Sequence, residues 1–482
     1  MLFTSYRFAL FAVGAFAAYW IAGRLSRSRH PQNVVLLLVS YGFYAFFDWR
    51  WCFLLAGVTG TGLLGGRLLS GWAGTRRPRR LVVLCCVLAV DLFALGFFKY
   101  LDFFGGIVSA VLGRSADQVT LHLVLPIGIS YYIFQNLSYV FDVYRGDISG
   151  RAPLLDYGVA LSFFPQLLSG PITRPRELLG QLGARRDFDE RAARDGLRQI
   201  LWGLIKKMVI ADNIAVLVDA AWKNTHALDG AAVVLVALLY SFQIYCDFSG
   251  YADIAIGTAK LFNLRLTRNF DQPYLSTSVR QFWRRWHMTL ASWMRDYVYI
   301  SLGGSRKGAL RRDLNTLVTF LLVGLWHGAD LTFAVWGLLH GAFLVAENLI
   351  ERVRGRTRAA AAAGVVAAGA WGKGRRAAAG LLVFALVTFA WVFFRAPSLS
   401  AAVAFLARLG APLGGAAHLR YLPWVAIGTA LLMFEALTPK WEHGFAFPRW
   451  WRPARWAVYV VACLVLLFFA KFGGQQGIYV QF

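Results

Sequence analysis

Eight histidines are spread along the 482 residues, and three of them keep company that points to chemistry. His287 lies in Gln281-Phe-Trp-Arg-Arg-Trp-His-Met-Thr-Leu290. His327 follows the apolar run Leu314–Leu325, in Gly324-Leu-Trp-His-Gly328, and His340 sits in Trp336-Gly-Leu-Leu-His-Gly341. An imidazole titrates near neutral pH, so each reads either as a general base or as a structural, hydrogen-bonded histidine. At membrane depth such a ring costs free energy unless it meets water or a partner. Glycine after His327 and His340 lets a backbone or ligand come close. On a single helix these two, 13 residues apart, would stand about 220° around the axis from each other. They would then share no face and form no ligand pair.

A basic and aromatic block surrounds His287: Trp283, Arg284, Arg285, Trp286, Trp293, Arg295 and Tyr297. It reads as an interfacial belt with snorkelling cations. It also reads as a cytoplasm-facing pocket for a phosphorylated donor, because arginine forks grip phosphate and tryptophan stacks on an adenine ring. Asp247 and Asp253, in Tyr245-Cys-Asp-Phe-Ser-Gly-Tyr-Ala-Asp253, read weakly as a metal pair and better as acids partnered by buried arginine or backbone amides. No Ser-His-Asp order, GxSxG elbow, phosphate-binding loop or HExxH pair occurs. The five cysteines form no CxxC pair, and adjacent Cys85 and Cys86 read as small buried apolar residues.

Composition names the frame that must hold these groups. Hydrophobic residues make up 58% of the chain and charged ones 16%, against roughly 25% charged in soluble domains. Neither a soluble fold nor a disordered chain suits that balance. The expectation is an all-α polytopic integral membrane protein. A net charge of +25 would suggest nucleic acid in a soluble protein. Here the arginines cluster between apolar runs, at 24–29, 76–80 and 352–358, with Lys373, Arg375 and Arg376 beyond. That is the pattern of cytoplasmic loops, with no nucleic-acid module and with the lipid bilayer as partner.

Spanning segments are expected at 8–23, 33–47, 81–98, 381–394 and 456–470, with weaker ones at 231–245 and 422–437; the total expected is about nine to twelve. The first is taken as a retained helix rather than a removed signal. Asp91, inside 81–98, must face protein or a polar cavity. Residues 1–120 are read as N-terminal membrane helices and 121–350 as a central, partly hydrophilic core. Residues 351–378 form a basic, Ala-rich connector whose 359–370 run is short enough to dip into the interface, and 379–482 the C-terminal helices with an aromatic tail. The core is interrupted at Pro126, Pro165, Gly170, Pro171, Asp247, Gly250, Asp253 and the 280–295 block. Broken or re-entrant helices lining a cavity carry such interruptions. No internal repeat is apparent, which weighs against a transporter built on inverted repeats.

Several of these stretches, taken in order, carry a resemblance. Leu125-Pro-Ile-Gly-Ile-Ser-Tyr-Tyr-Ile-Phe-Gln-Asn-Leu-Ser-Tyr139 leads into Asp142-Val-Tyr-Arg145. Phe163-Phe-Pro-Gln-Leu-Leu-Ser-Gly-Pro-Ile172, Tyr245–Asp253, Phe282–Tyr299, Gly324–Gly341, Trp391-Val-Phe-Phe-Arg-Ala396 and Ile478-Tyr-Val-Gln-Phe482 follow. Across essentially the whole chain the set resembles the membrane-bound O-acyltransferase (MBOAT) superfamily, in its bacterial alginate O-acetylation branch.

The resemblance implies a helical fold around a central tunnel, in a multi-pass protein of the bacterial inner membrane. It implies transfer of acetyl from cytoplasmic acetyl-CoA, a donor substrate rather than a resident cofactor, for O-acetylation of an extracytoplasmic polysaccharide, alginate or a similar exopolysaccharide. Periplasmic SGNH-hydrolase-like O-acetyltransferases are the implied partners. The family histidines match His327, the general base, and His287, which polarises or positions the reactants; His340 is assigned a structural role first. Arg284, Arg285, Trp286 and Arg295 are the candidate donor-binding residues, and no metal is expected. Tyr479 is placed to act as a transient acyl acceptor or to pack as part of an aromatic end. Gly477 and Val480 depart from the family's usual Phe-rich ending. The rival readings are the same relay serving peptidoglycan or D-alanyl transfer to teichoic acid, a proton-coupled transporter using the histidines as relays, and a scaffold of a secretion complex.

Overall fold

The computed structural model describes residues 2–72, 77–112, 123–353, 355, 370–414, 417–439, 441–447, 451–472 and 478. Every regular element among them is a helix. Among the described residues seven helices are long and apolar enough to cross a membrane, and large apolar side chains such as Leu10, Val13, Leu467 and Phe468 point outward. The protein is an all-α, multi-pass membrane protein. Two compact units divide the chain.

The first unit comprises Met1–Leu204, Tyr251–Thr267 and Phe472–Phe482. It carries α1 (Tyr6–Leu25), α2 (His30–Ala45), α3 (Trp51–Gly71), α4 (Arg77–Leu112), α5 (Ile129–Arg145), α6 (Leu154–Ser162), α7 (Phe164–Leu167), α8 (Pro175–Leu182) and α9 (Glu190–Leu204). Ser5 caps α1 by accepting from the Phe8 amide, and Pro31 opens α2, where a missing amide proton costs nothing. Phe3, Phe8, Phe43, Phe164 and Phe262 form an aromatic core. Asp91 is fully buried, as its place in an apolar run requires: it accepts from Thr61 Oγ1 at 2.9 Å and Asn136 Nδ2 at 2.6 Å, while the Tyr157 hydroxyl donates to Asn136 Oδ1. In hydrocarbon an acid without such donors would be untenable.

The second unit comprises Ile205–Gly250 and Arg268–Lys471. A π-helical turn, Ile205–Ala211, leads into α10 (Asp212–Lys223) and α11 (Gly230–Leu261), whose residues beyond Gly250 belong to the first unit. Two short helices follow, α12 (Val279–Arg285) and α13 (Met288–Trp293), with a second π-helical turn at Met294–Tyr299. Then come α14 (Gly308–His327), α15 (Leu331–Val353), α16 (Ala370–Arg395), α17 (Leu399–Ala407), α18 (Leu422–Leu437) and α19 (Arg452–Phe469).

Expected spans at 8–23, 81–98 and 381–394 fall within α1, α4 and α16, and that at 456–470 overlaps α19, which ends at Phe469. Those at 33–47 and 422–437 correspond to 16-residue helices, α2 and α18. Two further apolar helices, α3 and α15, lie outside the sequence expectation. Glycine and threonine in α3, and polar and aromatic residues in α15, dilute their hydropathy. The interruptions at Pro165 and 280–295 do break the chain into short helices, whereas Asp247, Gly250 and Asp253 do not break α11, which runs on for 32 residues. Its acids are matched where they stand. Lys207 donates to Asp247, and Gln199 Nε2 donates to Asp253 Oδ1 at 2.8 Å. Cys85 and Cys86, expected to be buried, are exposed on α4. Lipid is as apolar as a core, so a thiol there gains nothing from burial. The 359–370 run of the expected connector lies outside the described residues, except for Ala370 at the start of α16.

Candidate active site

His327 ends α14, and only Gly328-Ala-Asp330 separate it from α15. The two helices form an antiparallel hairpin whose backbones touch. A Cβ on Gly324 would fall 2.1 Å from the Phe333 carbonyl oxygen, and one on Gly337 would fall 2.2 Å from that of Phe320. Only glycine permits this approach. His327 and His340 therefore sit on different helices rather than opposite faces of one, and the single-helix geometry expected from their spacing does not apply. Both rings stand edge-on to Trp336, His327 at 5.1 Å and His340 at 5.0 Å between centroids.

His287 occupies the junction between α12 and α13 in a left-handed conformation, φ 43° and ψ 52°. A non-glycine residue holds that conformation only where its surroundings demand it. Asn269 supplies the demand. Its carbonyl oxygen accepts from the Met288 amide at 2.9 Å, and its side-chain Oδ1 accepts from the Thr289 amide at 3.2 Å and the Thr289 hydroxyl at 2.9 Å. The same Oδ1 lies 3.2 Å from His287 Nδ1. An acceptor there places the proton on Nδ1 and leaves the lone pair on Nε2. Burial also pushes His287 down to about 3, so the ring stays neutral. Asn269 lay beyond sequence reasoning, since nothing in Arg268-Asn-Phe-Asp271 marks it.

The His287 and His327 rings meet at 6.4 Å between centroids, both buried. Around them stand Phe248, 4.7 Å from His287, with Trp326 at 4.8 Å and Phe394 at 5.2 Å from His327. His340 makes a different set of contacts. Its Nδ1 accepts from Trp283 Nε1 at 3.2 Å, and its ring stacks on Phe282. These contacts fix the orientation of the ring.

A cavity of about 470 Å³ opens beside this cluster. Met288, next to His287, and Val323, one turn before His327, both line it, with Trp283, Arg280, Arg284 and Arg295. Arg280 is committed to Glu351 at 2.6 Å and Asn348 at 2.8 Å, whereas Arg295, its side chain 64% exposed, pairs with its neighbour Asp296 at 2.7 Å. Arg284 is exposed and makes no ion pair among the described residues. Arg285 does not line the cavity, and Trp286 is enclosed by Phe282, Phe270 and Trp391. Tyr479 lies outside the described residues. Sequence reasoning also missed a buried charge cluster in this unit: Lys207 donates to both Asp212, at 2.7 Å, and Asp247, while Lys206 donates to Ser249 at 2.8 Å. No group of three or more metal-ligating side chains is assembled among the described residues.

Two adjoining buried histidines thus stand beside an arginine-lined cavity in a multi-pass membrane protein. Comparison with known proteins makes the class specific. Residues 148–363 match the membrane-bound O-acyltransferase family. A "Probable alginate O-acetylase" of Pseudomonas aeruginosa is 39% identical over 83% of this chain and 73% of its own length, and another, from Azotobacter vinelandii, is 39% identical over 78% and 72%. A "Peptidoglycan O-acetyltransferase" of Helicobacter pylori is 34% identical over 83% of this chain and 77% of its own. The chain belongs to the membrane-bound O-acyltransferase family and is an O-acyltransferase.

Proposed function

We propose that this protein takes acetyl from cytoplasmic acetyl-CoA and passes it across the bacterial inner membrane for O-acetylation of an extracytoplasmic polysaccharide, alginate or a similar exopolysaccharide. The observation that carries this reading is the buried His287–His327 pair beside the arginine-lined cavity. Likeness to alginate O-acetylases supports acetyl as the cargo.

Arg284 and Arg295 bind the donor's phosphates at the cavity mouth, and Arg280, fixed by Glu351 and Asn348, shapes the wall. The thioester reaches inward along Trp283 and Met288. His327 takes the proton of an acceptor hydroxyl as its oxygen attacks the thioester carbon. The new C–O bond forms, the C–S bond breaks, and the proton passes to the departing thiolate. His287, held neutral with Nε2 unprotonated, orients the reactants. Aromatic walls keep water from hydrolysing the thioester. Periplasmic SGNH-hydrolase-like O-acetyltransferases carry the acetyl onward to the glycan. Peptidoglycan is the alternative acceptor, on the strength of the 34% identical relative.

The test is transfer of radiolabel from acetyl-CoA in membrane vesicles, comparing the intact chain with His327→Ala, with a periplasmic partner and glycan supplied. Label on protein, partner or glycan that disappears in the variant supports the reading. Equal labelling removes His327 from the mechanism, and no labelling in either overturns the acetyl relay.

A further inference from the structure

We propose that a pocket at the C-terminal end of α1 binds an anionic phospholipid. It has a volume of about 320 Å³ and is lined wholly by residues of the first unit.

Its wall is aromatic and already assembled. Phe16 and Trp20, one turn apart on α1, meet Phe188 at 6.0 and 5.2 Å between centroids, both edge-on. The Trp20 indole is held in place by donating to the Leu261 carbonyl at 3.1 Å. Helix α1 is long and apolar enough to cross a membrane and only 22% of its apolar window is buried inside the protein, so the half-buried rings of Phe16 and Trp20 border its exposed side at Ala17 and Ile21. An acyl chain is the apolar body that such a surface already meets.

The rim is cationic. Arg24 lies in the last turn of α1, exposed, and makes no ion pair among the described residues. Arg185 has one acidic neighbour, Asp187, at 3.5 Å. That carboxylate is 86% exposed, where water screens most of the attraction. Arg186 lines the pocket too, but its guanidinium is turned inward: it donates to Tyr19, Asn33 and the carbonyls of Gln181 and Ala184. It contributes a fixed positive charge, while Arg24 and Arg185 keep N–H groups for a ligand. Three arginines against one aspartate around an aromatic floor select a headgroup with a net negative charge. Basic pockets at the cytoplasmic ends of membrane helices recognise anionic lipids on this physical basis.

The experiment titrates the full-length protein in detergent with dioleoylphosphatidylglycerol, dioleoylphosphatidylcholine or glycerol 3-phosphate. Bound lipid is counted by native mass spectrometry and the thermal midpoint is followed in parallel. Phosphatidylglycerol is expected to bind and raise the midpoint; the zwitterionic lipid and the free phosphate ester are not. Arg24→Gln with Arg185→Gln should require roughly twenty-fold more phosphatidylglycerol, whereas the charge-matched control Arg191→Gln with Arg306→Gln should not. Asp187→Asn keeps the fold and should tighten binding. The proposal is overturned if the double variant binds the lipid like the unmodified protein, or if Asp187→Asn leaves binding unchanged. It is also overturned if glycerol 3-phosphate competes as well as the lipid, which would make the pocket a free-anion site.

Discussion

The imidazoles of His287 and His327 stand 6.4 Å apart between centroids, one at a left-handed junction between two short helices and the other at the end of α14. Neither local setting calls for the other. Asn269 fixes the first ring and the glycine-packed α14–α15 hairpin fixes the second. The pairing makes the cluster a unit, so single losses are expected to be severe and not additive. His327→Ala should lower acetyl transfer by roughly 10²–10⁴-fold, the range for a lost general base. His287→Ala should lower it comparably, and the double variant little further, as radiolabel transfer in vesicles would measure.

Asn269→Ala tests the positioning of His287. The change strands the Thr289 amide and hydroxyl and releases the His287 tautomer. Transfer should fall by about 10²-fold through misplacement, and stability by about 1–3 kcal/mol through unmet donors. Asn269→Asp, which restores an acceptor, should recover part of both. Equal activity of Asn269→Ala and the unmodified protein would remove Asn269 from the site.

His287 also makes a pH prediction. Its folded value, about 3, lies below its ordinary 6.5. As pH falls below 6.5 the unfolded chain takes up a proton that the folded chain refuses, so stability is lost progressively down to about pH 3. His287→Gln should flatten the acid side of a plot of thermal midpoint against pH. The acid limb of activity near neutrality should be unmoved by that substitution, since His287 does not titrate there.

Donor binding separates from chemistry at the cavity mouth. Arg284→Ala with Arg295→Ala should raise the KM for acetyl-CoA roughly tenfold and leave kcat within about twofold, as expected for charge-assisted contacts made at the donor's phosphates. A fall in kcat with unchanged KM would place these arginines elsewhere in the mechanism.

Two substitutions probe the frame. Gly324→Ala drives a methyl group to 2.1 Å from the Phe333 carbonyl and should cost about 1–3 kcal/mol or more. Gly42→Ala, in open space on α2, should not lower the thermal midpoint in detergent. Lys207→Met leaves Asp212 and Asp247 buried without their shared cation. It should cost about 3–5 kcal/mol and reduce the amount of folded protein recovered.

Local sequence determined a good deal. Apolar runs marked α1, α4, α16 and α19, because a lipid environment demands continuous hydrophobicity that no tertiary contact is needed to explain. The motifs around His287, His327 and Trp391 marked the residues of the aromatic cluster and the family. What spacing along the chain did not carry was the path of the backbone between those motifs. A three-residue turn after His327 puts His340 on a second helix and annuls the angle computed along one. Two glycines, invisible to hydropathy, let α14 and α15 touch. Asn269 meets His287 only because the loop before α12 folds back, and Asp247 survives inside an unbroken α11 only because Lys207 is brought to it. Hydrophobic patterning is a property of each segment and is legible in order. A hydrogen bond or ion pair between distant residues exists only once packing has chosen their neighbours.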